Sequence, residues 1–413
     1  MKIRLRKFNG GTNFSTGEKL ILFLLFLSFI DLKQYGMHMM LCAFALFGCM
    51  RGKLYAPKGA LPMLLLTASL VVFSRSALSG LTSIITCIIW PLAYLLGYGL
   101  ITNTDDDDAE HMQSRAWALL KLAAAGLFAH YVLNMLINFG TQDLGRNTLD
   151  FWSGEPRAAT GQAALAIVPM GWAVAKIVNA GSFKGTLGGL LVLLLIFYYN
   201  LTLGTRILLL LLPILFAIAF IYNLKTQKFT ARRRKMVTII LIIVLLVALV
   251  YILNLWGVRD IIEESALSQR YENNENMGIT EDSRWERKLE YLKLMPTQLL
   301  GGGSFNAQVG GHAHDVFLDT YDEAGIFALI AVIAIIWDAI SKLRKLLKNE
   351  GINYAFKITM LCVYSAMFIE FMVEPILQGM ALLFAAFCFL NGIITACLKC
   401  CQKNMEKQQG VSR

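Results

Sequence analysis

Long apolar runs alternate with short polar segments along most of the chain. Residues 207–221 and 237–255 are two of the clearest runs, and nearly every side chain in them is apolar. A helix needs about 20 such residues to cross the hydrocarbon core of a bilayer, whereas a membrane barrel would show short strands of alternating polarity. The pattern therefore predicts an all-α polytopic membrane protein.

About twelve runs meet or approach the length of a membrane-spanning helix. They cover residues 20–32, 37–50, 61–73, 78–101, 116–137, 161–177, 186–203, 207–222, 237–256, 317–340, 358–373 and 376–398. The first three runs are short for a span. We expect about twelve transmembrane helices in one integral membrane domain over residues 1–413.

Composition agrees with a membrane location. The chain is 56% hydrophobic and 16% charged, against about 25% charged residues in soluble domains. Basic residues beside spans stay in the cytoplasm, and here they alternate between loops. The basic clusters lie at residues 2–19, 51–58, 225–235, 342–348 and 399–407. This alternation predicts a multi-pass protein with both termini in the cytoplasm.

The net charge of +10 is therefore mainly a signal of orientation. A nucleic-acid partner would require a basic face on a folded module, and none is expected. Membrane lipids are the predicted surroundings.

Two predicted extracytoplasmic loops are longer than turns, at residues 138–160 and 257–313. The larger loop contains two stretches of helical character, residues 260–271 and 282–295, the second ended by Pro296. Gly301-Gly302-Gly303 follows and leads to two histidines. The predicted fold is thus a helical bundle with a large outer loop that contains short helices.

Four arginines lie near the predicted outer membrane edge: Arg157, Arg206, Arg284 and Arg287. Because a guanidinium group presents a planar fork of donors, converging arginines suit the oxygens of a diphosphate. Simpler interpretations remain. Arg206 could extend to lipid head groups, and the loop arginines could pair on the surface with Glu281, Asp282 or Glu290.

The segment His312-Ala313-His314-Asp315 lies where the large loop re-enters an apolar run. An imidazole exchanges protons near neutral pH, so His314 is the candidate general base. Either His312 or Asp315 could orient it. The alternatives are a structural histidine at the helix start and an aspartate that caps the helix.

The stretch from His312 to Gly325 resembles the hallmark of the O-antigen ligase/polymerase superfamily, which comprises bacterial membrane glycosyltransferases. That hallmark is a His, usually followed by Asn, then a Leu and a closing Gly. Here it reads His314, Asp315, Leu318 and Gly325, so Asp replaces the usual Asn. The other segments that resemble the family are Thr205-Arg206, Ser283-Arg284 before a helix and a Gly-rich stretch, and Ser153-Gly154 to Gln162.

The resemblance implies transfer of a glycan from a polyprenyl diphosphate to an acceptor hydroxyl, with inversion and with no metal or cofactor. The reaction would occur at the outer face of the bacterial plasma (inner) membrane. Arg206 and Arg284 would bind the diphosphate, and His314 would take the acceptor proton. The predicted substrate-binding residues are Arg287, His312, Asp315, Arg157 and Gln162. Arg284 is preferred to Arg287 as the essential arginine.

The motifs leave three functions open. A polymerase would join lipid-linked repeats of a surface polysaccharide, and a ligase would pass the finished O-antigen to another lipid or cell-wall acceptor. The loop sequence Asp150-Phe151-Trp152-Ser153-Gly154 resembles that of polymerase-like members of the superfamily, and this resemblance favours a polymerase. A transporter or flippase is the alternative of another class, since buried ionisable groups in membrane helices are functional candidates. Its candidate residues are His130, Asp338, Glu370 and Glu374.

Overall fold

The computed structural model describes residues 14–51, 56–74, 81–102, 109–140, 147–179, 182–226, 249–269 and 283–411, with isolated positions at 238, 242, 245 and 246. This part of the chain is almost wholly helical and contains one two-stranded antiparallel sheet. The predicted all-α class is confirmed. Of the predicted span at residues 237–256, most of the first half lies outside the described residues.

The helices are numbered here in chain order. They are α1 (Thr16–Phe29), α2 (Gly36–Arg51), α3 (Ala60–Phe73), α4 (Leu81–Thr102), α5 (Ala109–Ile137), α6 (Ala159–Ala164), α7 (Ile167–Asn179), α8 (Phe183–Leu203), α9 (Arg206–Thr226), α10 (Val258–Glu263), α11 (Ser283–Leu294), α12 (Phe305–Val309), α13 (Val316–Lys348), α14 (Tyr354–Phe371), α15 (Ile376–Gly379) and α16 (Ala381–Val411). Strands β1 (Asn147–Leu149) and β2 (Pro156–Ala158) form a hairpin between α5 and α6.

Within the described residues, seven helices are long and apolar enough to cross a membrane: α4, α5, α8, α9, α13, α14 and α16. Three shorter apolar helices, α2, α3 and α7, accompany them. These lengths confirm the prediction of a membrane-embedded bundle. The figure of about twelve spans stays a prediction.

Several helices extend beyond the apolar runs that predicted them. Helix α5 begins at Ala109 rather than at residue 116, and α13 continues to Lys348. Glu, Gln, Lys and Arg favour helix nearly as well as Leu does, so a helix can continue where its apolar run stops. The run 161–177 forms two helices, α6 and α7, separated at Leu165 and Ala166.

Helices α4 and α16 form the closest crossing in the bundle core. A Cβ on Gly97 would lie 2.2 Å from the Phe389 carbonyl oxygen, and one on Gly392 would lie 2.1 Å from the Tyr94 oxygen. Small residues allow such close approach between helices in lipid. Trp90 Nε1 also donates to the Ala381 carbonyl at 3.3 Å. Helices α2, α3, α5 and α13 pack on this pair, whereas α8 packs on α7, and α9 packs on α7 and α14.

Polar contacts define two ends of the bundle. At one end, the buried carboxylate of Glu18 in α1 accepts from Arg115 Nη2 near the start of α5 at 2.5 Å and from Arg51 Nη2 at the end of α2 at 2.8 Å. Gln113 in α5 donates to the Gly351 carbonyl between α13 and α14 at 2.8 Å. We call this end of the bundle the opposite end, since it lies away from the end that carries the hairpin and residues 283–315.

The other end carries the hairpin and residues 283–315, and we call it the loop end. Trp152 Nε1 in the hairpin donates to the Ile30 carbonyl after α1 at 2.8 Å. Ser74 after α3 donates to Glu323 in the first turns of α13 at 2.6 Å. A Cβ on Gly161 in α6 would lie 3.8 Å from the Gly379 oxygen in α15. The hairpin and the large-loop segment therefore lie at the same end of the helical bundle.

Candidate functional site

Helix α11 covers part of the loop end with one face. Arg284, Lys288 and Tyr291 follow at helical spacing and point inward, since Tyr291 is fully buried and the other two are half-buried. Tyr291 packs with Phe305, Ala313 and Tyr321 in a small core separate from the main bundle. Its hydroxyl donates to the Gly311 carbonyl at 3.1 Å. This core fixes α11 above the segment that carries both histidines.

The histidine segment is folded around the buried carboxylate of Asp319. One oxygen accepts the Ala313 N–H at 2.8 Å, and the other accepts the Asp315 N–H at 3.0 Å. Asp315 itself caps α13, because its side chain accepts from the N–H groups of Phe317 and Leu318. The predicted capping role of Asp315 is therefore present, and a role in substrate binding stays a prediction.

His314 adopts a left-handed backbone conformation with φ +55°. A residue with a Cβ adopts this region at a cost of roughly 1–2 kcal/mol, so the surrounding hydrogen bonds must hold it there. Its Nδ1 lies 3.3 Å from Glu374 Oε2, three residues beyond the end of α14. In the described part of the chain, the side chain hydrogen-bonded to the His314 ring is thus Glu374, whereas the sequence had suggested His312 or Asp315.

Glu374 also binds Arg284. Its Oε1 lies 3.6 Å from Arg284 Nη2, while Arg284 Nη1 donates to the Val373 carbonyl at 3.3 Å. Glu374 is 2% exposed, so its charge is compensated by these neighbours rather than by bulk water. Two predicted catalytic residues, Arg284 and His314, therefore meet at one buried carboxylate.

Lys288 adds a second positive charge one helical turn after Arg284. Its Nζ lies 3.4 Å from Asp315 Oδ2 and donates to the Met372 carbonyl at 3.0 Å. Its side chain retains 20% exposure. Guanidinium and ammonium groups side by side form a suitable environment for a phosphate or diphosphate.

His312 lies on the other side of Asp319. Its Nδ1 is 3.9 Å from Asp319 Oδ1, and its Nε2 is 3.4 Å from the Asn306 side-chain nitrogen. Burial, followed by the nearby His314 ring, lowers the pKa of His312. The side chain of Arg287 lies over Gly311, where an added Cβ would be 3.0 Å from its Nη1. Both predicted binding residues therefore border the His314 segment.

Close contacts at Gly325 position the Gly-rich stretch that precedes the histidine segment. Helix α13 is interrupted at Ala324 and Gly325, and Gly325 has φ +72° and ψ −159°, a region that only glycine adopts readily. A Cβ on Gly325 would lie 2.3 Å from the Leu299 oxygen. The N–H groups of Gly302 and Gly303 donate to the Asp322 carbonyl at 2.8 and 2.7 Å. The Gly-rich stretch therefore docks on the break in α13.

We expect Gly325→Ala to destabilise the protein, because the methyl group meets the Leu299 carbonyl and the backbone is strained by about 1–3 kcal/mol. Thermal unfolding in detergent would measure the loss. Gly188→Ala on α8 is the matched control, since a Cβ there meets nothing within 4 Å and alanine favours helix by about 0.5–1 kcal/mol. Equal unfolding temperatures for the two variants would contradict the role assigned to Gly325.

Arg157 lies in β2 of the hairpin, and Gln162 lies in α6 directly after it. Arg157 Nη1 lies 3.3 Å from Asp150 Oδ2 and 3.9 Å from Asp31 Oδ2, and His130 Nε2 lies 3.2 Å from the same Asp150 oxygen. Burial alone would raise the pKa of Asp150, but the His130 hydrogen bond and the Arg157 charge outweigh it and hold that pKa well below its usual range. Gln162 donates to the Leu149 carbonyl at 3.1 Å. These contacts fasten the hairpin to α1 and α5.

Arg206 is the first residue of α9 and is half-buried. Helix α9 packs along α14, and Tyr222 near its end stacks on Tyr354 at the start of α14 with ring centroids 5.9 Å apart. The two helices are therefore antiparallel, so Arg206 lies toward the end of α14 that precedes Glu374. A direct contribution of Arg206 to the His314 site stays a prediction.

Sequence reasoning did not include Lys288 or Asp319, and it considered Glu374 only for transport. The spacing of Lys288 could have indicated its role, because residues four apart share a helix face and Arg284 was already a candidate. Nothing in the local sequence of Glu374 indicated its partners, which come from two segments distant along the chain. Of the predicted surface partners, Glu290 instead pairs with Lys293 at 2.6 Å, and Glu281 and Asp282 lie outside the described residues.

Comparison with models of protein families found no match for this chain, and comparison with curated proteins found no significant similarity.

Proposed function

We propose that the chain is a membrane glycosyltransferase of the O-antigen ligase/polymerase superfamily that uses a polyprenyl-diphosphate-linked glycan. The observation that carries the proposal is the meeting of His314 and Arg284 at buried Glu374, with Lys288 beside them. This arrangement joins a proton acceptor to cationic groups at the end of an apolar bundle. The polar segments would take the diphosphate and sugars, and the lipid tail would stay in the membrane.

In the proposed reaction, Arg284 and Arg206 bind the diphosphate, and Lys288 adds charge. The acceptor oxygen forms a bond to the anomeric carbon of the donor as the bond from that carbon to the phosphate oxygen breaks. His314 takes the hydroxyl proton, and the polyprenyl diphosphate departs with the bonding electron pair, stabilised by the cationic side chains. Attack opposite the leaving group inverts the anomeric centre. The chemistry requires no cofactor.

We propose a bacterial plasma membrane location with the loop end extracytoplasmic and both termini cytoplasmic. The basic clusters at residues 342–348 and 399–407 support this orientation through the positive-inside rule. Arg51 and Arg115 in the opposite end agree with it. The glycan acceptor would then be reached from outside the cytoplasm.

Among glycan transfers, polymerisation of a surface polysaccharide is proposed first, because the sequence of the hairpin turn at residues 150–154 resembles that of polymerase-like members of the superfamily. Ligation of a finished glycan onto a lipid or cell-wall acceptor is the alternative. Both reactions use the same donor chemistry and the same site residues, so they differ only in the acceptor.

Transport of a lipid or polysaccharide is the second candidate, and buried Glu370 favours it. Both carboxylate oxygens of Glu370 lack a hydrogen-bond partner among the described residues, and such groups in membrane helices are functional candidates. Asp338 and His130 belong to two separate pairs, since Asp338 pairs with Lys342 and His130 pairs with Asp150. Glycan transfer accounts for more of the charged groups at the loop end.

The proposal is tested in cells whose surface glycan depends on this protein. We expect Arg206→Ala to stop glycan elongation or attachment while the protein still inserts, because the donor diphosphate loses a binding partner. Lipid-linked intermediates are measured by chromatography, and insertion is measured in the membrane fraction. Single lipid-linked repeats would identify a polymerase, and long lipid-linked chains would identify a ligase.

Arg344→Ala is the matched control, since Arg344 is exposed on α13 beyond the predicted span. It should leave the surface glycan unchanged. Normal polymer length and attachment in the Arg206 variant would contradict its proposed role in transfer.

A further inference from the structure

We propose that Glu374 positions the His314 ring and that its carboxylate is paired with the Arg284 guanidinium group until the donor binds. In this account the donor diphosphate replaces Glu374 at Arg284, and Glu374 is then left to hold the His314 ring alone. The inference rests on the proposed glycosyl transfer and adds a coupling between donor binding and removal of the acceptor proton.

The orientation of the His314 ring follows from hydrogen-bond chemistry. An ionised carboxylate can only accept, so the contact between Glu374 Oε2 and His314 Nδ1 at 3.3 Å requires a proton on Nδ1. In the neutral ring the lone pair is then on Nε2, the nitrogen that accepts the hydroxyl proton in the proposed reaction. The buried carboxylate also stabilises the imidazolium ion once that proton has been taken, as in other carboxylate–histidine pairs.

The Arg284 contact is suited to exchange. The distance from Arg284 Nη2 to Glu374 Oε1 is 3.6 Å, whereas charge-assisted hydrogen bonds from guanidinium to phosphate are typically about 2.7–2.9 Å and often bidentate. Arg284 also keeps 31% of its side chain exposed. A diphosphate can therefore offer Arg284 shorter bonds than Glu374 does, without first exposing a fully buried guanidinium group.

The exchange orders the reaction. Before the donor binds, one carboxylate faces both Arg284 and His314, so its charge is shared. After the donor binds, Arg284 pairs with the diphosphate, and the full charge of Glu374 acts on the ring that must become positive. Acceptor deprotonation is thus favoured when a donor is present. The proton moves from the acceptor oxygen to Nε2, and the electron pair of the broken bond leaves with the diphosphate.

Glu374→Gln tests the inference, because it removes the charge with little change of volume. In purified protein, we expect kcat to fall by about tenfold to 10⁴-fold. The lower bound is the usual effect of losing an orienting partner, and the upper bound is that of losing the carboxylate of a catalytic triad. Pyrophosphate should bind about two- to fivefold more tightly, since a partly exposed competing ion pair is lost. The donor KM should not rise. Titration with inorganic pyrophosphate measures affinity without turnover.

A purely structural role predicts a different result, namely a higher donor KM, weaker pyrophosphate binding and a lower unfolding temperature. Glu290→Gln is the matched control, since Glu290 is exposed on α11 and pairs only with Lys293 among the described contacts. Should the Gln variant fold poorly, Glu374→Asp keeps the charge. We then expect pyrophosphate affinity near that of the wild type and a smaller loss of kcat.

The double variant His314→Ala/Glu374→Gln should be no slower than His314→Ala, because positioning has no effect without the ring. An unchanged kcat in Glu374→Gln, with His314→Ala inactive, would overturn this inference and leave the proposed function standing. Full turnover in His314→Ala would overturn the general-base role of His314, and absence of glycan transfer by the wild-type protein would overturn the proposed function itself. Weaker pyrophosphate binding in Glu374→Gln would overturn the exchange at Arg284.

Discussion

His314→Ala is expected to lower the kcat of glycan transfer by about 10²–10⁴-fold, the usual contribution of a general base. The acceptor hydroxyl would lose the group that takes its proton, while Arg284 and Lys288 would still bind the donor. The donor KM should therefore change little. The measurement is initial transfer rate against donor concentration, using purified protein in vesicles.

His111→Ala is the matched control for that variant. It makes the same substitution near the start of α5, at the opposite end of the bundle, and it should leave both kinetic constants unchanged. A His314 variant with the kcat of the control would exclude the imidazole from the reaction. A large rise in donor KM alone would assign His314 to binding rather than to proton transfer.

Glu18→Ala is expected to destabilise the protein by about 3–5 kcal/mol, the cost of removing one partner of a buried ion pair. Arg115 is 2% exposed and would keep a buried charge without the carboxylate that lies 2.5 Å away. The variant would also lose the capping box in which Glu18 accepts from the Ser15 N–H. We expect the unfolding temperature in detergent to fall by roughly 5–10 °C.

Glu290→Ala is the appropriate comparison for Glu18. Glu290 pairs with Lys293 at 2.6 Å, but the two side chains are 50% and 69% exposed. Surface pairs contribute about 0–1 kcal/mol, so its unfolding temperature should remain near that of the wild type. If both variants unfolded at the same temperature, the pairing of Glu18 with Arg115 would not be a main support of the opposite end.

The sequence was most informative where one physical effect dominated. Apolar runs predicted the long helices because burial of the backbone in lipid requires internal hydrogen bonds. The helical stretch 282–295 corresponds to α11 (Ser283–Leu294), since its charged and apolar residues alternate at helical spacing and Pro296 limits it. Asp315 was identified as a cap for similar local reasons.

The sequence was least informative about contacts between distant segments. Glu374 binds both His314 and Arg284, but its position after α14 relative to α11 depends on packing of the whole bundle. The position of the hairpin also depends on a contact between distant segments, because Asp150 pairs with His130 from α5. The sequence had suggested His130 only as part of a possible proton path. The boundaries of α5 and α13 also differed, since hydropathy reports only the part of a helix that is apolar.

The candidate site depends both on local hydrogen bonds and on packing between segments that are distant along the chain. Two backbone N–H groups bind Asp319 and fix the histidine segment, while Gly325 lets the Gly-rich stretch dock beneath it. Helix α11 then brings Arg284 and Lys288 over Glu374. A change in any of these supports should reduce the reaction without touching a reacting atom.

The most direct measurement follows a defined polyprenyl-diphosphate oligosaccharide in vesicles that contain the purified protein. Our account predicts that the wild type releases one polyprenyl diphosphate for each new glycosidic bond and that His314→Ala releases almost none. It would be contradicted if the wild type moved the lipid across the membrane without forming a bond, or if both proteins formed bonds at the same rate.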